Sequence, residues 1–353
     1  MSYQITIEPL GETITADDGQ TILDACLRAG VWLPYACGHG ICSTCKIKVL
    51  DGVVDHGDAS SFALMDFERA DNKCLACCAR PESDLVIEAD IDEEPDAENL
   101  PVADFIGTVT RITDLTPRIK GIFLHLNQPL VFQAGQYVNL YLPHLSQARA
   151  FSLANSPSLT QDIELNVSLI PDGKATTYLH QQLKVGDSLR LSAPYGRFFV
   201  RRSRAKPLLF IAGGSGLSSP KSMILSLLEQ GETHPITLVQ GARQVEELYY
   251  ADLFRELASK YQNFTYIPTL SHANEDQTWT GLHGFAHEAA HAHFNGRFTG
   301  MTAYLCGPPA MIDACITTLM QGRLFEKDIF MERFFNYADT QQADKRSPLF
   351  KSI

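Results

Sequence analysis

The spacing of four cysteines constrains this chain more than any other feature of its sequence. Cys37, Cys42 and Cys45 follow a C-x4-C-x2-C pattern, and Cys77 lies further along the chain. A metal–sulfur cluster needs four thiolates that converge on one small inorganic core, and a tight loop of small residues must provide three of them. Such a loop directs backbone N–H groups at the sulfurs, and glycine allows its sharp turns. The pattern therefore predicts a [2Fe–2S] cluster with plant-type ligand spacing.

Other kinds of site are compatible with some of these cysteines. A C-x2-C pair that begins at Cys42 and another that begins at Cys74 would suit a structural zinc ion, but Cys37 and the glycine-rich loop would then have no purpose. A disulfide framework is disfavoured because nothing marks the chain as secreted. Spacing alone leaves Cys74, Cys77 and Cys78 as alternatives for the fourth ligand.

Length and composition limit the class of protein. The 353 residues suffice for two or three domains, each with a core of its own. The net charge of −12 argues against nucleic acid and anionic membranes as partners. The N-terminus alternates like a strand, unlike a signal peptide, and no stretch is long enough to span a membrane. We therefore expect a soluble, cytoplasmic protein whose thiols stay reduced and available to iron.

Residues 1–93 predict a compact α+β domain that contains the cluster loop. Cys26 shares one face of a short helix with Ile22, so we expect a buried hydrophobic residue there rather than a ligand. The order of strand, hairpin partner, helix, loop and two further strands is that of a β-grasp ferredoxin domain. These elements are expected at 5–7, 13–15, 21–29, 46–50 and 85–87, with the cluster loop between the helix and the third strand.

An acidic segment follows this domain. Glu88 to Glu98 carries seven carboxylates and one proline. We expect a solvated linker at residues 94–103, because like charges repel one another and keep such a segment extended. The alternative is a patch that steers a basic redox partner, and the salt dependence of electron transfer would separate the two.

The remaining chain predicts two further domains. From Ile106 to Ala193 short strand-like runs recur with turns between them, as in a small antiparallel β-barrel. From Pro207 to Phe335 apolar strands alternate with helices, as in a doubly wound parallel sheet. The expected boundaries are 104–203 for the barrel domain, 204–335 for the parallel-sheet domain and 336–353 for a flexible tail.

Two motifs in the barrel region carry a resemblance to a known superfamily. Arg149 begins R-A-F-S, which fits R-x-[YF]-[ST], and Gly173 begins G-K-A-T-T-Y-L, which fits G-x-x-[ST]-x-x-L. In this order they resemble the flavin domain of the ferredoxin–NADP reductase superfamily. A guanidinium can pair with the pyrophosphate of FAD, and a helix start can bind the same phosphates. The resemblance therefore implies FAD binding by Arg149, Phe151, Ser152, Gly173, Thr176 and Thr177, with Ser152 near flavin N5.

Further motifs in the parallel-sheet region resemble the same superfamily. Gly213 begins G-G-S-G-L-S-S-P between an apolar strand and a helix, where helix N–H groups face a pyrophosphate. The turn resembles G-G-[ST]-G-x-x-P, except that Ser219 stands where proline is usual. Spacing alone makes Cys306 a buried strand end, whereas the resemblance places it beside the nicotinamide. Cofactor binding is implied for Gly213, Gly214, Ser215, Gly216, Arg243, Cys306, Gly307 and Pro308.

The last motif begins at Phe330 and runs F-M-E-R-F-F. It resembles the aromatic terminus that covers the flavin in this superfamily, although here the chain continues beyond it. The resemblance implies a catalytic role for Glu332 together with Ser152 and Cys306, and flavin binding by Phe335.

The nicotinamide cofactor is expected to be NADH. The additional phosphate of NADPH needs cations, and the segment 271–276 offers two carboxylates but neither lysine nor arginine. Arg243 is the one cation that the motifs place nearby.

One motif points elsewhere and is rejected. His287 begins H-E-A-A-H, the pattern of a zinc metalloprotease helix. Phe294 occupies the glycine position of the extended motif, and a third ligand at suitable spacing is not evident. We expect a polar outer helix face.

Ferredoxin, flavin and nicotinamide domains in this order resemble the reductase components of bacterial multicomponent oxygenases, most narrowly those of phenol hydroxylases. The resemblance also favours Cys77 as the fourth ligand, because plant-type ferredoxins place it in a Leu-x-Cys pattern, here Leu75-Ala76-Cys77. It implies hydride transfer from NADH to FAD, then single electrons through the cluster to a separate di-iron hydroxylase that acts on phenol. The alternatives are the reductase of a toluene or methane monooxygenase or of an aromatic-ring dioxygenase, and a non-catalytic zinc-stabilised nucleotide-binding protein.

Overall fold

The computed structural model describes residues 1–38, 40–91, 94–272 and 279–334. The described residues divide into two compact units, one of Met1–Ala103 and a second that begins at Asp104. Phe335 and the tail expected at 336–353 lie outside the described residues, as do residues 273–276 of the segment used to predict NADH.

The first unit has the predicted order of a β-grasp domain. Its elements in chain order are β1 (Ser2–Glu8), β2 (Glu12–Asp17), α1 (Ile22–Arg28), β3 (Lys46–Asp51), β4 (Val54–Asp55), α2 (Asp66–Ala70), β5 (Lys73–Leu75), β6 (Arg80–Pro81) and β7 (Leu85–Glu88). Five strands form one mixed sheet in the order β2-β1-β7-β3-β5, in which β1 and β7 run parallel. Ile5 and Ile7 alternate with polar residues along β1 and are fully buried, which confirms the predicted strand pattern.

Helix α1 begins and ends at the residues that the sequence indicates. The Thr21 hydroxyl accepts a hydrogen bond from the Asp24 backbone N–H at 3.3 Å, a cap that contributes about 1 kcal/mol. Gly30 follows the helix with a φ of +80°, a conformation that glycine adopts without strain. Cys26 is fully buried on the inner face of α1, as predicted for a hydrophobic residue.

The second unit begins with the predicted antiparallel barrel. Its elements are β8 (Ala103–Thr116), β9 (Ile119–Leu126), β10 (Tyr137–Tyr141), β11 (Arg149–Ser152), β12 (Asp162–Ser168), α3 (Lys174–Gln181) and β13 (Ser188–Tyr195). The six strands follow the order β11-β10-β13-β8-β9-β12. An antiparallel bridge between Leu153 and Leu165 joins the two ends of this sheet, which closes it into a barrel.

A six-stranded parallel sheet completes the second unit and confirms the doubly wound fold. Its elements are β14 (Leu208–Gly213), α4 (Ser218–Glu229), β15 (Ile236–Ala242), α5 (Ala251–Lys260), β16 (Phe264–Leu270), β17 (Leu282–His283), α6 (Ala286–His293), β18 (Thr302–Gly307), α7 (Pro309–Gln321) and β19 (Ile329–Arg333). The strand order is β17-β16-β15-β14-β18-β19. Successive strands are therefore added on one side of β14 up to β17 and then on its other side from β18 onwards. In such sheets ligands bind at the carboxyl ends of the strands near the reversal.

One apolar core joins the barrel to the face of the parallel sheet that carries α4 and α5. Phe198 and Val200, which follow β13, pack with Phe210 of β14 and Tyr304 of β18. A second core lies between the opposite face and helices α6 and α7. Because the barrel shares a core with the sheet, the carboxyl ends of β14 and β18 are held against barrel residues.

Within the parts of the chain that the structure describes, no helix combines the length and the apolar character needed to cross a bilayer.

Candidate active site

The cysteine loop between α1 and β3 is built from tight turns. Gly38, Gly40 and Ser43 have φ values of +68°, +75° and +62°, so the backbone reverses direction repeatedly between the cysteines. The loop is tied to the segment that follows β4 by two hydrogen bonds. The Ser43 hydroxyl donates to the Ala63 carbonyl at 2.8 Å, and the Ser60 N–H donates to the Gly40 carbonyl at 3.1 Å.

The four predicted ligands lie as two thiol pairs. Hydrogen bonds join the Cys37 thiol to Cys42 and the Cys45 thiol to Cys77. The Cys37 N–H also points at the Cys42 sulfur, at 3.4 Å. The hydrogen bond from the Cys37 thiol lowers the pKa of Cys42 to about 4, and the bond from Cys77 lowers the pKa of Cys45. Thiolates at ordinary pH are the form in which cysteine binds iron.

The three alternatives for the fourth ligand differ in burial and in contacts, and the thiol pKa of both Cys74 and Cys77 is raised, in Cys74 by burial and in Cys77 by its hydrogen bond to Cys45 and by burial. Cys74 is fully buried on β5, and burial raises the pKa of its thiol to about 12. Cys77 is the neighbour of Cys45, while the Cys78 sulfur lies 3.7 Å from that of Cys77. Gly40 packs so closely on Cys78 that a Cβ there would lie 2.6 Å from its sulfur. Three thiols from a glycine-rich loop and a fourth from the segment after β5 are a donor set that fits a [2Fe–2S] cluster, and of the three alternatives Cys77 is the one that is hydrogen-bonded to a cysteine of the loop.

A second constellation forms around the carboxylate of Glu332 in the other unit. Three side chains from different elements donate to Glu332 Oε2: the Ser152 hydroxyl of β11 at 3.3 Å, the Ser219 hydroxyl of α4 at 3.0 Å and the Cys306 thiol of β18 at 3.7 Å. The three residues that the resemblance implies as catalytic are therefore brought together. They lie where the barrel meets the carboxyl ends of the parallel strands.

The environment of this carboxylate changes its proton affinity. Desolvation raises the pKa of Glu332 to about 7, although its hydrogen bonds to Ser219, Ser152 and Cys306 act in the opposite direction. Burial also raises the pKa of the Cys306 thiol far above its usual value, so Cys306 stays protonated and acts as a donor. Glu332 thus changes charge close to neutral pH, at a position shared by both domains.

The glycine turn after β14 packs directly on the strand end that carries Cys306. A Cβ on Gly216 would lie 2.5 Å from the Cys306 carbonyl oxygen, and a Cβ on Gly213 would lie 2.7 Å from the Met311 sulfur. A side chain at position 216 would have to displace backbone, whereas one at position 213 would displace the Met311 side chain. Gly307 and Pro308 continue from Cys306 into α7, so the glycine turn and the Cys306 segment form one surface.

The implied FAD residues lie on β11 and at the start of α3. Arg149 is exposed and donates to the carbonyls of Gln147 and Ala148, while Phe151 is half-buried. Gly173 precedes α3, and the Thr176 hydroxyl is engaged in this turn, where it accepts from the Ile170 N–H at 3.1 Å. The first turn of a helix has backbone N–H groups without intrahelical partners, so the start of α3 is a candidate phosphate site.

Arg243, the implied cation of the nicotinamide domain, is paired with a neighbouring carboxylate. Glu247 accepts from the Arg243 side chain at 2.9 Å and from its backbone N–H at 3.0 Å. This pairing lowers the pKa of Glu247 against the effect of its own partial burial. The positive charge of Arg243 is therefore already balanced by Glu247.

The H-E-A-A-H motif lies on α6, and the contacts of its glutamate explain the pattern. The Glu288 carboxylate accepts from the Phe285 N–H at 2.7 Å and so caps the start of the helix. Ala286, Ala289 and Ala290 face the core, whereas His291 is exposed. Glu288 therefore has a structural task in this helix.

Two residues of this site were not identified as functional from the sequence. Ser219 was noted only as a departure from proline, but its hydroxyl is a donor to Glu332. Tyr249 was not noted, although its hydroxyl donates to the Gly214 carbonyl at 2.8 Å. The departure at Ser219 was a usable signal, because a hydroxyl at the start of a helix next to a glycine turn can reach a ligand or a carboxylate.

Comparisons with known proteins agree with this geometry. The chain matches the sequence profiles of three families: the 2Fe-2S iron-sulfur cluster binding domain over residues 5–82, the oxidoreductase FAD-binding domain over residues 107–200 and the oxidoreductase NAD-binding domain over residues 210–316. These matches decide the cysteine alternatives in favour of iron and sulfur over zinc.

Similar proteins cover the full length of the chain. The reductase component of phenol 2-monooxygenase from Pseudomonas sp. (strain CF600) is 62% identical over 353 residues, 100% of both chains. The phenol hydroxylase P5 protein of Acinetobacter pittii (strain PHEA-2) is 57% identical over the same span. A crystal structure of the reductase GcoB from Amycolatopsis is 33% identical, with a TM-score of 0.83 over 94% of this chain and 98% of that one.

The fold and the two constellations define an iron–sulfur flavoprotein oxidoreductase that uses a [2Fe–2S] cluster, FAD and a nicotinamide dinucleotide. Within this class, the chain belongs to the family of oxygenase reductase components that includes the phenol hydroxylase reductases.

Proposed function

We propose that the chain takes a hydride from NADH onto FAD and delivers single electrons through its cluster to a separate di-iron hydroxylase that acts on phenol. The observation that carries the proposal is the 62% identity with a phenol 2-monooxygenase reductase component across all three domains. The match to the 2Fe-2S iron-sulfur cluster binding domain over residues 5–82 spans Cys37, Cys42, Cys45 and Cys77, and it supports assigning the cluster to these four cysteines.

The division of labour between the domains follows from electron counts. NADH releases two electrons as a hydride, whereas an iron–sulfur cluster accepts one at a time. Bound FAD would supply the conversion, because a flavin accepts two electrons together and releases them singly. The protein's part is to hold the nicotinamide at the glycine turn, to hold the flavin on the barrel and to keep water from the contact between them.

Ser152, Cys306 and Glu332 are proposed to act at that contact. The Glu332 carboxylate accepts hydrogen bonds from residues of both the barrel and the parallel sheet. When ionised, it places a negative charge where a nicotinamide ring becomes positive on losing hydride, which favours the transfer. The Cys306 thiol fixes the orientation of this carboxylate, since it stays protonated.

Retention of FAD is proposed to depend on Arg149. We expect Arg149→Ala to weaken FAD binding by about 10- to 100-fold, because a charge-assisted pair with a phosphate contributes about 1.5–3 kcal/mol. The measurement is the FAD content after gel filtration and the Kd for added FAD, with iron content as the internal check. Arg255→Ala, which removes an exposed arginine of α5, is the matched control. A variant that retains FAD fully would contradict the assignment.

The preference for NADH is supported by the pair of Arg243 and Glu247. Because the Glu247 carboxylate already neutralises Arg243, it would repel the additional phosphate of NADPH, and Arg243 would no longer attract that phosphate.

We expect Glu247→Gln to raise kcat/KM for NADPH relative to NADH by about 2- to 10-fold, the range that one exposed ion pair allows. Steady-state reduction of an artificial acceptor with each cofactor measures this ratio. Glu246→Gln, an exposed neighbour, should leave the ratio unchanged. A ratio that is equal in both variants would show that Arg243 does not face the cofactor's adenosine end.

The partner is proposed to be a di-iron hydroxylase, and the cytoplasm is the proposed location because it keeps the cluster thiols reduced. Reconstitution tests the partner. With O2 present, the purified protein, NADH and a di-iron phenol hydroxylase component should convert phenol to a dihydroxybenzene and water, with one NADH and one O2 consumed per product. Support of a toluene monooxygenase or a ring dioxygenase, with no turnover of phenol, would identify the alternative oxygenase as the partner.

A further inference from the structure

A polar cluster that includes none of the residues assigned so far is buried between the barrel and the parallel sheet. Glu164 of β12 and Lys221 of α4 are 6% and 4% exposed, and they form an ion pair at 2.6 Å. The Tyr250 hydroxyl donates to the other Glu164 oxygen at 2.5 Å, and the Lys221 ammonium lies 4.1 Å from the centre of the Tyr250 ring. One residue from the barrel is thus held by two from the nucleotide-binding domain.

The residue before Tyr250 extends this cluster to the glycine turn. The Tyr249 hydroxyl donates to the Gly214 carbonyl at 2.8 Å, and the Tyr249 carbonyl accepts from the buried Gln240 amide at 3.1 Å. Two consecutive tyrosines therefore connect a barrel carboxylate to the backbone of the turn that is proposed to hold the nicotinamide cofactor.

The backbone conformation of Tyr250 is consistent with a role for this residue in holding the two domains together. Tyr250 has a φ of +59°, in the left-handed region that bulky residues seldom adopt. A conformation of this kind persists where surrounding contacts determine it, and it is concentrated at functional positions. At this point of the chain the Tyr249 hydroxyl contacts the glycine turn and the Tyr250 hydroxyl contacts Glu164.

The ion pair contributes orientation more than stability. A buried pair gains in attraction about what it loses in hydration, so well-packed apolar residues can replace it without loss of stability. Burial lowers the pKa of Lys221 accordingly, and Glu164 opposes that effect. The pair does, however, fix the distance and angle between β12 and the first turn of α4. That turn also carries Ser219, the donor to Glu332.

We propose that Glu164, Lys221 and Tyr250 are positioning residues that hold the glycine turn and the start of α4 in register with the flavin barrel, and thereby set the geometry of hydride transfer. The inference rests on the proposed function, since it concerns the step in which nicotinamide reduces flavin. The effect acts through the turn and through Ser219, and none of the three residues has a proposed contact with either cofactor.

The first test uses the least disruptive change. Tyr250→Phe removes one hydroxyl, and Tyr261→Phe, at the other end of α5, is the matched control. Anaerobic stopped-flow reduction of the full-length holoprotein is followed against NADH concentration. We expect Tyr250→Phe to lower the limiting rate of flavin reduction by about 10-fold, because small displacements of reacting groups have large kinetic effects. The half-saturating NADH concentration, the FAD and iron contents and the melting temperature should change little.

The second test separates an effect on the position of the glycine turn from an effect on the stability of the fold. Glu164→Gln and Lys221→Met each break the pair, and the combined variant leaves no buried charge. We expect the combined variant to recover the melting temperature of the parent but not its limiting rate. Lys221→Arg, which keeps the charge and the reach, should recover part of the rate. The long-wavelength absorbance of nicotinamide stacked on flavin should be weaker in every slow variant.

The outcomes are distinguishable from a failure of the proposed function. If the parent protein is not reduced by NADH, the proposed function itself is wrong. If the parent is reduced normally and both Tyr250→Phe and the combined variant keep the limiting rate within about twofold, the positioning role is overturned. A combined variant in which rate and melting temperature recover together would show that the cluster is only structural.

Discussion

Replacing Cys42 with serine is expected to abolish cluster-dependent electron transfer and to leave the flavin chemistry intact. Serine provides a neutral hydroxyl in place of a thiolate, and iron–sulfur clusters select soft thiolate ligands. Cys42 accepts hydrogen bonds from both the thiol and the backbone N–H of Cys37. Loss of the Cys42 sulfur therefore removes a predicted ligand together with the contacts that order the loop. We expect reduction of a one-electron protein acceptor to fall by about 100-fold or more, while NADH still bleaches the flavin.

The matched control for this variant is Cys78→Ser. Cys78 lies beside Cys77 and, in our assignment, does not bind iron. The control should retain the two irons per chain that a [2Fe–2S] cluster contains. Its rate of electron transfer to the acceptor should stay close to that of the parent. Loss of iron in Cys78→Ser with retention in Cys77→Ser would move the fourth ligand by one residue. Equal loss of both activities in Cys42→Ser would contradict the separation of the domains.

Glu332→Gln is expected to have the second large effect, on the step between NADH and flavin. The amide keeps the size of the side chain but cannot become negative. We expect the limiting rate of flavin reduction to fall by about 100-fold, within the range found for charged groups at reacting centres. In the parent this rate should rise with pH through about 7, because desolvation raises the pKa of Glu332 to about 7 and the ionised form is the active one.

The same pKa fixes the sign of the pH dependence of stability. The folded protein holds a proton that the unfolded chain releases at lower pH, so this group stabilises the fold most below the ordinary carboxyl pKa of 4.5 and its contribution is lost as pH rises through about 7. Glu332→Gln should flatten both profiles between these limits. Glu326→Gln, an exposed glutamate nearby in sequence, is the control. A parental pH profile in Glu332→Gln would exclude Glu332 as the titrating group.

Local patterns in the sequence predicted most of the fold. Alternation at Ile5 and Ile7, the cap at Thr21 and the glycine at position 30 act over a few residues, so the elements they define were predicted closely. Helix α4 is the clearest difference. It begins at Ser218 directly after the glycine turn, whereas the apolar run by which a sequence pattern identifies a helix begins only at Met223. Its first turn is buried with polar residues, so apolar periodicity did not detect it.

The motifs of the candidate site were predicted from the sequence, but the side-chain contacts between them were not. Cys306 and Ser152 were identified through resemblance, yet nothing local in the sequence indicates that Ser219 and Glu332 meet. Their contact depends on tertiary packing, because Ser219 lies on α4 and Glu332 on the edge strand β19, 113 residues further along the chain. The cluster of Glu164, Lys221 and Tyr250 was missed for the same reason. Each residue alone resembles an ordinary surface polar residue, and only tertiary packing buries them together.

The visible spectrum of the purified protein, recorded anaerobically before and after addition of NADH and accompanied by iron and flavin analysis, tests the central claim most directly. We predict flavin bands over a broad iron–sulfur absorbance, one FAD and two irons per chain for the expected cluster, and bleaching of both chromophores by NADH. A colourless protein that contains zinc would contradict the whole account. A yellow protein without iron would contradict the assignment of Cys37, Cys42, Cys45 and Cys77 and leave the flavin reductase in place.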